Sequence, residues 1–286
     1  MKPLSGALLA TVLAAILASA ASAQEGTVEP TATLTSETIR SYDVPEANQA
    51  VGVDGEHFYA IDNTVIAKYS KATGERVGAW EGEKGGAIKH LDSAEVVDGR
   101  IYASHSNYPE WPMTSSVEVW DAATLEHVES HSLGIDRGSL TWLSNHDGVW
   151  YGTFANYNRV FDRSPVAYGN KYTTQLVRFD ENWRIAEAWV LPDALLEKFD
   201  DMSNSGGSWG PDGKLYLSGH DPAELYQMAF PEAGSIMRWV ATVPAEIEGQ
   251  GIAWDHSQPD VIYGIIRKER RVTATRVDLA SDHAAK

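Results

Sequence analysis

The sequence predicts an all-β fold, a five-bladed β-propeller whose last blade is closed by the N-terminal strand. Three observations lead there. A strand-sized run with a tyrosine at the same place recurs five times, as HFYAI, RIYAS, VWYGT, KLYLS and VIYGI, which places Tyr59, Tyr102, Tyr151, Tyr216 and Tyr263 at spacings of 43, 49, 65 and 47 residues. Four of these runs follow an Asp-Gly turn: Asp54-Gly55, Asp98-Gly99, Asp147-Gly148 and Asp212-Gly213. A repeat of this length with several short strands per unit is that of a propeller blade. Finally, the last unit is one strand short, and a spare strand precedes the first.

The first 23 residues read as an export signal. Lys2 is the positive start, an apolar run extends from Ala7 to Leu17, and Ala21-Ser22-Ala23 is a small-x-small cleavage site. The apolar run is too short to span a bilayer, so no membrane insertion is expected. The reading is a removed signal and a periplasmic or secreted protein. Residues 24–36, rich in Thr, Glu and Pro, read as a disordered leader. The propeller occupies 37–280, and 281–286 is a polar tail.

Blade one is Gln49–Val53, Phe58–Asp62, Val65–Tyr69 and Arg76–Trp80. Blade two is Ser93–Val97, Ile101–His105, Val117–Asp121 and His127–Leu133. Blade three is Ser139–Ser144, Val149–Phe154, Gln175–Phe179 and Ile185–Leu191, and blade four is Gly206–Trp209, Leu215–Gly219, Glu224–Met228 and Ile236–Val243. These runs are rich in Val, Ile, Tyr and Trp and bounded by Gly, Asp and Asn, as half-buried strands require. Blade five has three strands, Gly251–Trp254, Val261–Ile266 and Arg271–Val277. Its outer strand is assigned to Thr38–Val44, which ends in Tyr42-Asp-Val-Pro45 much as other fourth strands end in Val-Leu-Pro192 and Thr-Val-Pro244. Closure of this kind removes exposed sheet edges. Insertions interrupt blade two (Ser106–Ser115) and blade three (Ala155–Thr173). A helix is expected over Asp193–Met202, capped by Asp193, with Leu195, Leu196 and Phe199 on one face.

Composition narrows the function. The chain has no cysteine, which excludes disulfides and thiol nucleophiles. A net charge of −17, from 23 basic and 40 acidic residues, argues against nucleic acid or an anionic membrane as partner. There is no GxSxG elbow, no GxxxxGK loop and no GxGxxG after a strand.

In a four-stranded meander the links between blades and the second-to-third-strand loops emerge on one face, so the candidate site is the mouth of the central channel there. Phase places Asn48, Gln49, His90, Asp92, Asp136, Arg137, Asn204, Ser205, Glu248 and Gln250 at the starts of inner strands. His105, Asn107, Tyr108, Asn156, Tyr157, His220, Asp221, Arg267 and Lys268 leave the second strands. Asn48, Asn204, Ser205 and Asp136 equally suit backbone capping in tight links. His57, His146 and His256 fall at the opposite mouth and read as turn and surface residues. His90, Asp92, Glu248 and Gln250 are candidate ligands for a divalent metal (Ca, Mn or Zn), because clustered polar groups around a narrow channel need partners. His105 and His220 are candidate proton shuttles, with Arg137 or Arg267 to steady a carboxylate or enolate and Tyr108 to donate a proton. Asn48, Gln49, Asn107, Trp111, Asn156, Tyr157, Asn204 and Arg267 are candidate substrate contacts. Tyr108 and Trp111 make an aromatic lip suited to a sugar, lactone or aromatic ring; alternatively Trp111 and Tyr157 pack the inserted loops onto the rim.

Four runs carry a resemblance: Ala103-Ser-His-Ser-Asn-Tyr-Pro with Pro112-Met-Thr-Ser-Ser, Ser203-Asn-Ser-Gly-Gly-Ser-Trp-Gly-Pro-Asp-Gly, Ser218-Gly-His-Asp, and Glu248-Gly-Gln-Gly-Ile-Ala-Trp-Asp. Over most of residues 45–278 the chain resembles exported bacterial propeller proteins of the loosely labelled cycloisomerase-like or SMP-30/gluconolactonase-like group. It departs from gluconolactonase-type proteins, which have six blades, a calcium held by Glu, Asn and Asp, and an early Glu-Gly-Pro-x-Trp pattern not found here. Muconate-lactonising propellers have seven blades. Plant-type glutaminyl cyclases have five, with motifs that do not match. No catalytic residue carries over from any of them. The expectation is a monomeric lyase, isomerase or lactone hydrolase acting on a small oxygenated ring compound at the top mouth. The alternatives are a non-catalytic propeller that binds a ligand or a protein, or a scaffold that uses its acidic outer surface.

Overall fold

The computed structural model describes residues 30, 32–135, 137–160, 166–167 and 169–279. The expected export signal, the leader up to 29, the polar tail and Asp136 lie outside the described residues. Five antiparallel sheets follow one another in chain order, and inner strands of successive blades pack together, blade five against blade one, so the ring is closed.

Blade one is Ala50–Val53, His57–Asp62, Val65–Ser70 and Arg76–Glu81. Its inner strand is buried throughout while its outer strand is largely exposed, since inner strands are covered by neighbouring blades on both faces. Blade two differs from expectation. Its inner strand is split into His90–Leu91 and Glu95–Val97, both paired with Arg100–Ser106, before Ser115–Asp121 and His127–Gly134. At the break, Ser93 Oγ contacts Ser104 Oγ at 2.8 Å and accepts the N–H of Leu143 in blade three at 3.2 Å. Blade three is Ser139–His146, Val149–Ala155, Gln175–Phe179 and Ile185–Val190; blade four is Gly206–Trp209, Leu215–Ser218, Glu224–Ala229 and Arg238–Pro244.

The serine contact recurs around the ring. Ser144 Oγ accepts from Trp209 N at 3.2 Å, and Ser208 Oγ accepts from Trp254 N at 3.0 Å. Inner-strand serines thus bind blade two to three, three to four and four to five through a backbone N–H that would otherwise be buried without a partner. Between blades one and two the backbones approach so closely that a Cβ on Gly52 would lie 2.7 Å from the Ala94 carbonyl oxygen.

Blade five is closed as the sequence predicts. Ser36–Asp43 pairs antiparallel with Arg271–Val277, outside Val261–Ile266 and Ala253–Trp254. The seam is reinforced by a buried ion pair: Lys71 Nζ donates to Asp255 Oδ2 at 2.5 Å, to Ser257 Oγ and to the carbonyls of Asp54 and Gly55. The leader is shorter than expected. Ala32–Thr33 adds a parallel strand to the outer edge of blade four, and Leu34 is buried with Val243 and Ile247. A Thr- and Pro-rich composition hid two apolar side chains placed to fill the gap between blades four and five. The linking helix is also shorter, Asp193–Glu197, with Pro192 at the cap position and Asp193 as the first helical residue. Leu195, Leu196 and Phe199 are buried as expected.

The recurring tyrosine has a visible cause in blades one and four. Tyr59 donates to Asp54 Oδ2 at 2.6 Å and Tyr216 to Asp212 Oδ2 at 2.8 Å, so each phenol braces the carboxylate of the turn that precedes its strand. At this mouth His57 lies 3.5 Å from Asp54 and His146 stacks on Trp209 at 4.1 Å, in keeping with structural roles.

Candidate functional site

At the opposite mouth the chain encloses a cavity of about 50 Å³ to which all five blades contribute. Gln49, His90, Asp92, Tyr108, Tyr157, His220, Gln250 and Arg267 line it, with Thr141, Met202 and Ser205. Residues separated by as many as 218 positions, from Gln49 to Arg267, are therefore brought together by ring closure alone.

His90 and Asp92 flank the short break in the inner strand of blade two. His90 Nε2 lies 2.9 Å from Asp92 Oδ1, and its Nδ1 lies 2.6 Å from Asn63 Oδ1. Asn63 Nδ2 donates to Asp62 Oδ1, an acceptor, so the Asn63 oxygen must face His90; it also accepts from Gln49 Nε2. Both imidazole nitrogens thus meet oxygen acceptors.

His220 leaves the second strand of blade four and is partly exposed. Its Nδ1 lies 2.7 Å from Asp221 Oδ2; a carboxylate only accepts, so Nδ1 bears a proton, and in the neutral ring the lone pair is on Nε2. Gln250 is held with φ +66°, in the left-handed region that side chains other than glycine seldom adopt, and its amide donates to the His220 carbonyl at 3.2 Å. Arg267 donates through Nε to Asn48 Oδ1 at 3.3 Å; the Asn48 amide is oriented by Asp62 at 2.6 Å. Asn48 is therefore a support for Arg267 and does not line the cavity.

The aromatic lip is a cover. Tyr108 stacks on His90 with centroids 4.8 Å apart and meets Tyr157 edge-on at 5.8 Å. Met113, Met202 and Ala155 pack with them, so the two inserted loops bear on each other across the channel. Trp111, 49% exposed, stands elsewhere, with Arg137 and Asn156 in an outer groove of about 330 Å³ between blades two and three. Asn156 donates to the carbonyls of Arg137 and Thr173, which shapes that groove.

Other nominated residues are spent on structure. His105 is buried within blade two: its Nε2 accepts from Lys89 N at 3.0 Å, and its Nδ1 meets Ser116 Oγ at 2.8 Å, which in turn donates to Glu118. Burial holds its pKa below the ordinary value. With both nitrogens engaged away from the cavity, His105 is no proton shuttle for a ligand there. Asn107 ties its own loop, donating to Pro112 O and accepting from Thr114 N. Asn204 is fully buried, accepting from Trp142 Nε1 and donating to Gly206 O and Ser218 O. Inner-strand starts attract such residues because the chain turns sharply there and leaves backbone groups to satisfy.

The expected metal ligands do not fit a preformed centre. Among the described residues no group of three or more His, Asp or Glu is placed to hold an ion. Both His90 nitrogens are engaged, and Glu248 is drawn to the ammonium and the backbone N–H of Lys268. A divalent cation needs several open donors from one set.

Sequence reasoning passed over Asn63, Thr141 and Met202. Asn63 leaves the second strand of blade one, so the phase rule that selected His220 and Arg267 points to it as well. Thr141 and Met202 lie on an inner strand and an interblade link, and no local pattern marks them.

A solved structure shares this fold at low identity. The chain is similar to the glutaminyl cyclase of Myxococcus xanthus, with TM-score 0.55 and 11% identity over 87% of this chain and 99% of that one. It is also similar to a luciferin-regenerating enzyme (TM-score 0.49, 10% identity, 85% and 95% covered). A third is the PQQ-bound aldose sugar dehydrogenase of Streptomyces coelicolor (TM-score 0.47, 11% identity, 87% and 100% covered). At such identities the likeness is one of fold. No family model matches the chain, and no curated protein does. The expected group thus reduces to its coarser content, a β-propeller. Among the described residues no helix is long and apolar enough to cross a membrane.

Proposed function

We propose that the protein is a propeller enzyme of the lyase, isomerase or lactone hydrolase type, acting on a small oxygenated ring compound at the covered mouth. The observation that supports this most is the convergence of His220, Arg267, Gln250 and the His90–Asp92 pair, from separate blades, on one cavity. His220, its Nδ1 proton held by Asp221, presents the lone pair of a general base, and Arg267 supplies positive charge for an oxyanion. The cavity has room for about three or four waters, far short of the ~300 Å³ or more that encloses a drug-sized ligand. The polar head of the substrate would therefore enter while its ring rests against Tyr108 and Tyr157, or those loops part.

The test follows ring opening of a panel of lactones and acidic sugars by pH-stat titration, comparing the parent with His220→Ala. The expected result is turnover reduced about 100- to 10,000-fold in the variant, with melting changed by about 2 °C or less. Equal turnover in the two proteins refutes the role of His220. The same small cavity favours a second reading, non-catalytic ligand binding; the parent then binds members of the panel and converts none.

A further inference from the structure

We propose that the cavity is an anion site, built to take the carboxylate group of its ligand on Arg267. This rests on the reading that the ligand enters at the covered mouth, and it specifies the ligand's chemical class.

The charges lining the cavity lead to it. Within the cavity the Asp92 carboxylate faces the His90 imidazole at 2.9 Å. The His220 imidazole is turned to Asp221, with Nδ1 2.7 Å from its Oδ2. Arg267 is the one arginine or lysine among the cavity-lining residues, inside a protein whose net charge is −17. Six arginines have a carboxylate within 4 Å; among the described residues Arg267, like Arg40, Arg137, Arg184 and Arg238, has none, and of these five Arg267 alone lines the cavity.

Arg267 is also aimed. Its Nε is fixed by Asn48 Oδ1, and Asn48 is fixed in turn by Asp62. Such bracing restricts the rotamers of a long side chain and leaves the two terminal nitrogens as a fork of donors, which matches the two oxygens of a carboxylate. A half-buried cation facing a small cavity calls for an anion or ordered water. A volume of about 50 Å³ holds about three or four waters, about as many as acetate has heavy atoms.

The experiment titrates the intact protein with sodium acetate, with its neutral isostere acetamide, and with sodium chloride at matched ionic strength, reading melting temperature and calorimetric heat. The expected result is saturable binding of acetate, no response to acetamide, and affinity at least about tenfold lower in Arg267→Gln, with Arg137→Gln like the parent. Arg267→Lys, which keeps the charge and loses the fork, is expected to fall between. Acetate and acetamide acting alike, chloride matching acetate, or Arg267→Gln binding as the parent does would each overturn the proposal. The outcomes also separate it from the enzyme reading. His220-dependent turnover of neutral lactones with no acetate site leaves catalysis standing and removes the anion site; acetate binding without turnover does the reverse.

Discussion

Glu95 offers a direct test of how the blades pack. Its carboxyl is buried between blades two and three, where it receives only Asn145 N–H at 3.3 Å and Ser144 Oγ at 3.5 Å. Desolvation dominates over these hydrogen bonds and pushes its pKa up to about 8, from an ordinary value of 4.5. The folded protein therefore binds a proton that the unfolded chain releases between these values. Stability from this group is full below about pH 4.5 and is lost as pH rises towards 8. At about 1.4 kcal/mol per pH unit the window has an upper bound of about 5 kcal/mol; relaxation and water entry reduce this to roughly 2–4 kcal/mol. Glu95→Gln keeps the shape and cannot ionise. At about 2–4 °C per kcal/mol for a domain of this size, the variant should melt about 5–10 °C above the parent at pH 9, and close to it at pH 5. Melting curves at pH 5, 7 and 9 and constant ionic strength provide the check, the difference between the proteins cancelling all other titrations. Curves that stay parallel across that range would refute a neutral, buried Glu95.

Three further outcomes follow from the site. Asn204→Ala removes three buried hydrogen bonds and should cost about 3–5 kcal/mol in urea unfolding; a loss below about 1 kcal/mol would show that Asn204 is no strut. His105→Ala should lower stability by about 2–3 kcal/mol by leaving the Lys89 N–H and Ser116 without their partner, while His220→Ala changes it little; the reverse order of denaturation midpoints counts against both assignments. Gln250→Gly and Gln250→Ala lose the same amide, but only alanine keeps the left-handed penalty, so the glycine variant should be more stable by about 1 kcal/mol. Equal midpoints for these two would mean that the φ of +66° is not maintained.

Much of the fold was legible because it is repetitive. The Asp-Gly turns and phase-locked tyrosines mark one strand in each blade, and the Pro-terminated spare strand at Tyr42-Asp-Val-Pro45 identifies the closing partner. Nine of the eleven residues that line the cavity followed from the same phase, since position in a blade decides which mouth a residue approaches. What phase does not determine is direction. His105 and His220 leave equivalent strands, yet one turns into its own sheet towards Ser116 and the other towards the cavity. Trp111, Arg137 and Asn156 sit on or beside inserted loops whose path depends on tertiary contacts, and they gather outside the channel. The buried Leu34 and half-buried Ala32 have no signature in the sequence, because two apolar residues in a polar stretch have no period to reveal them.

A ring fastened by its first and last strands has an unequal response to damage. Pulling residues 36–43 away from 271–277 would give the circle two free ends and an unpaired edge at each, and the Lys71–Asp255 link helps to hold the same seam. Injury within a middle blade leaves that fastening intact. The cheapest route to partial opening therefore runs through one joint, and substitutions there should affect resistance to proteolysis more than equal losses of contact elsewhere.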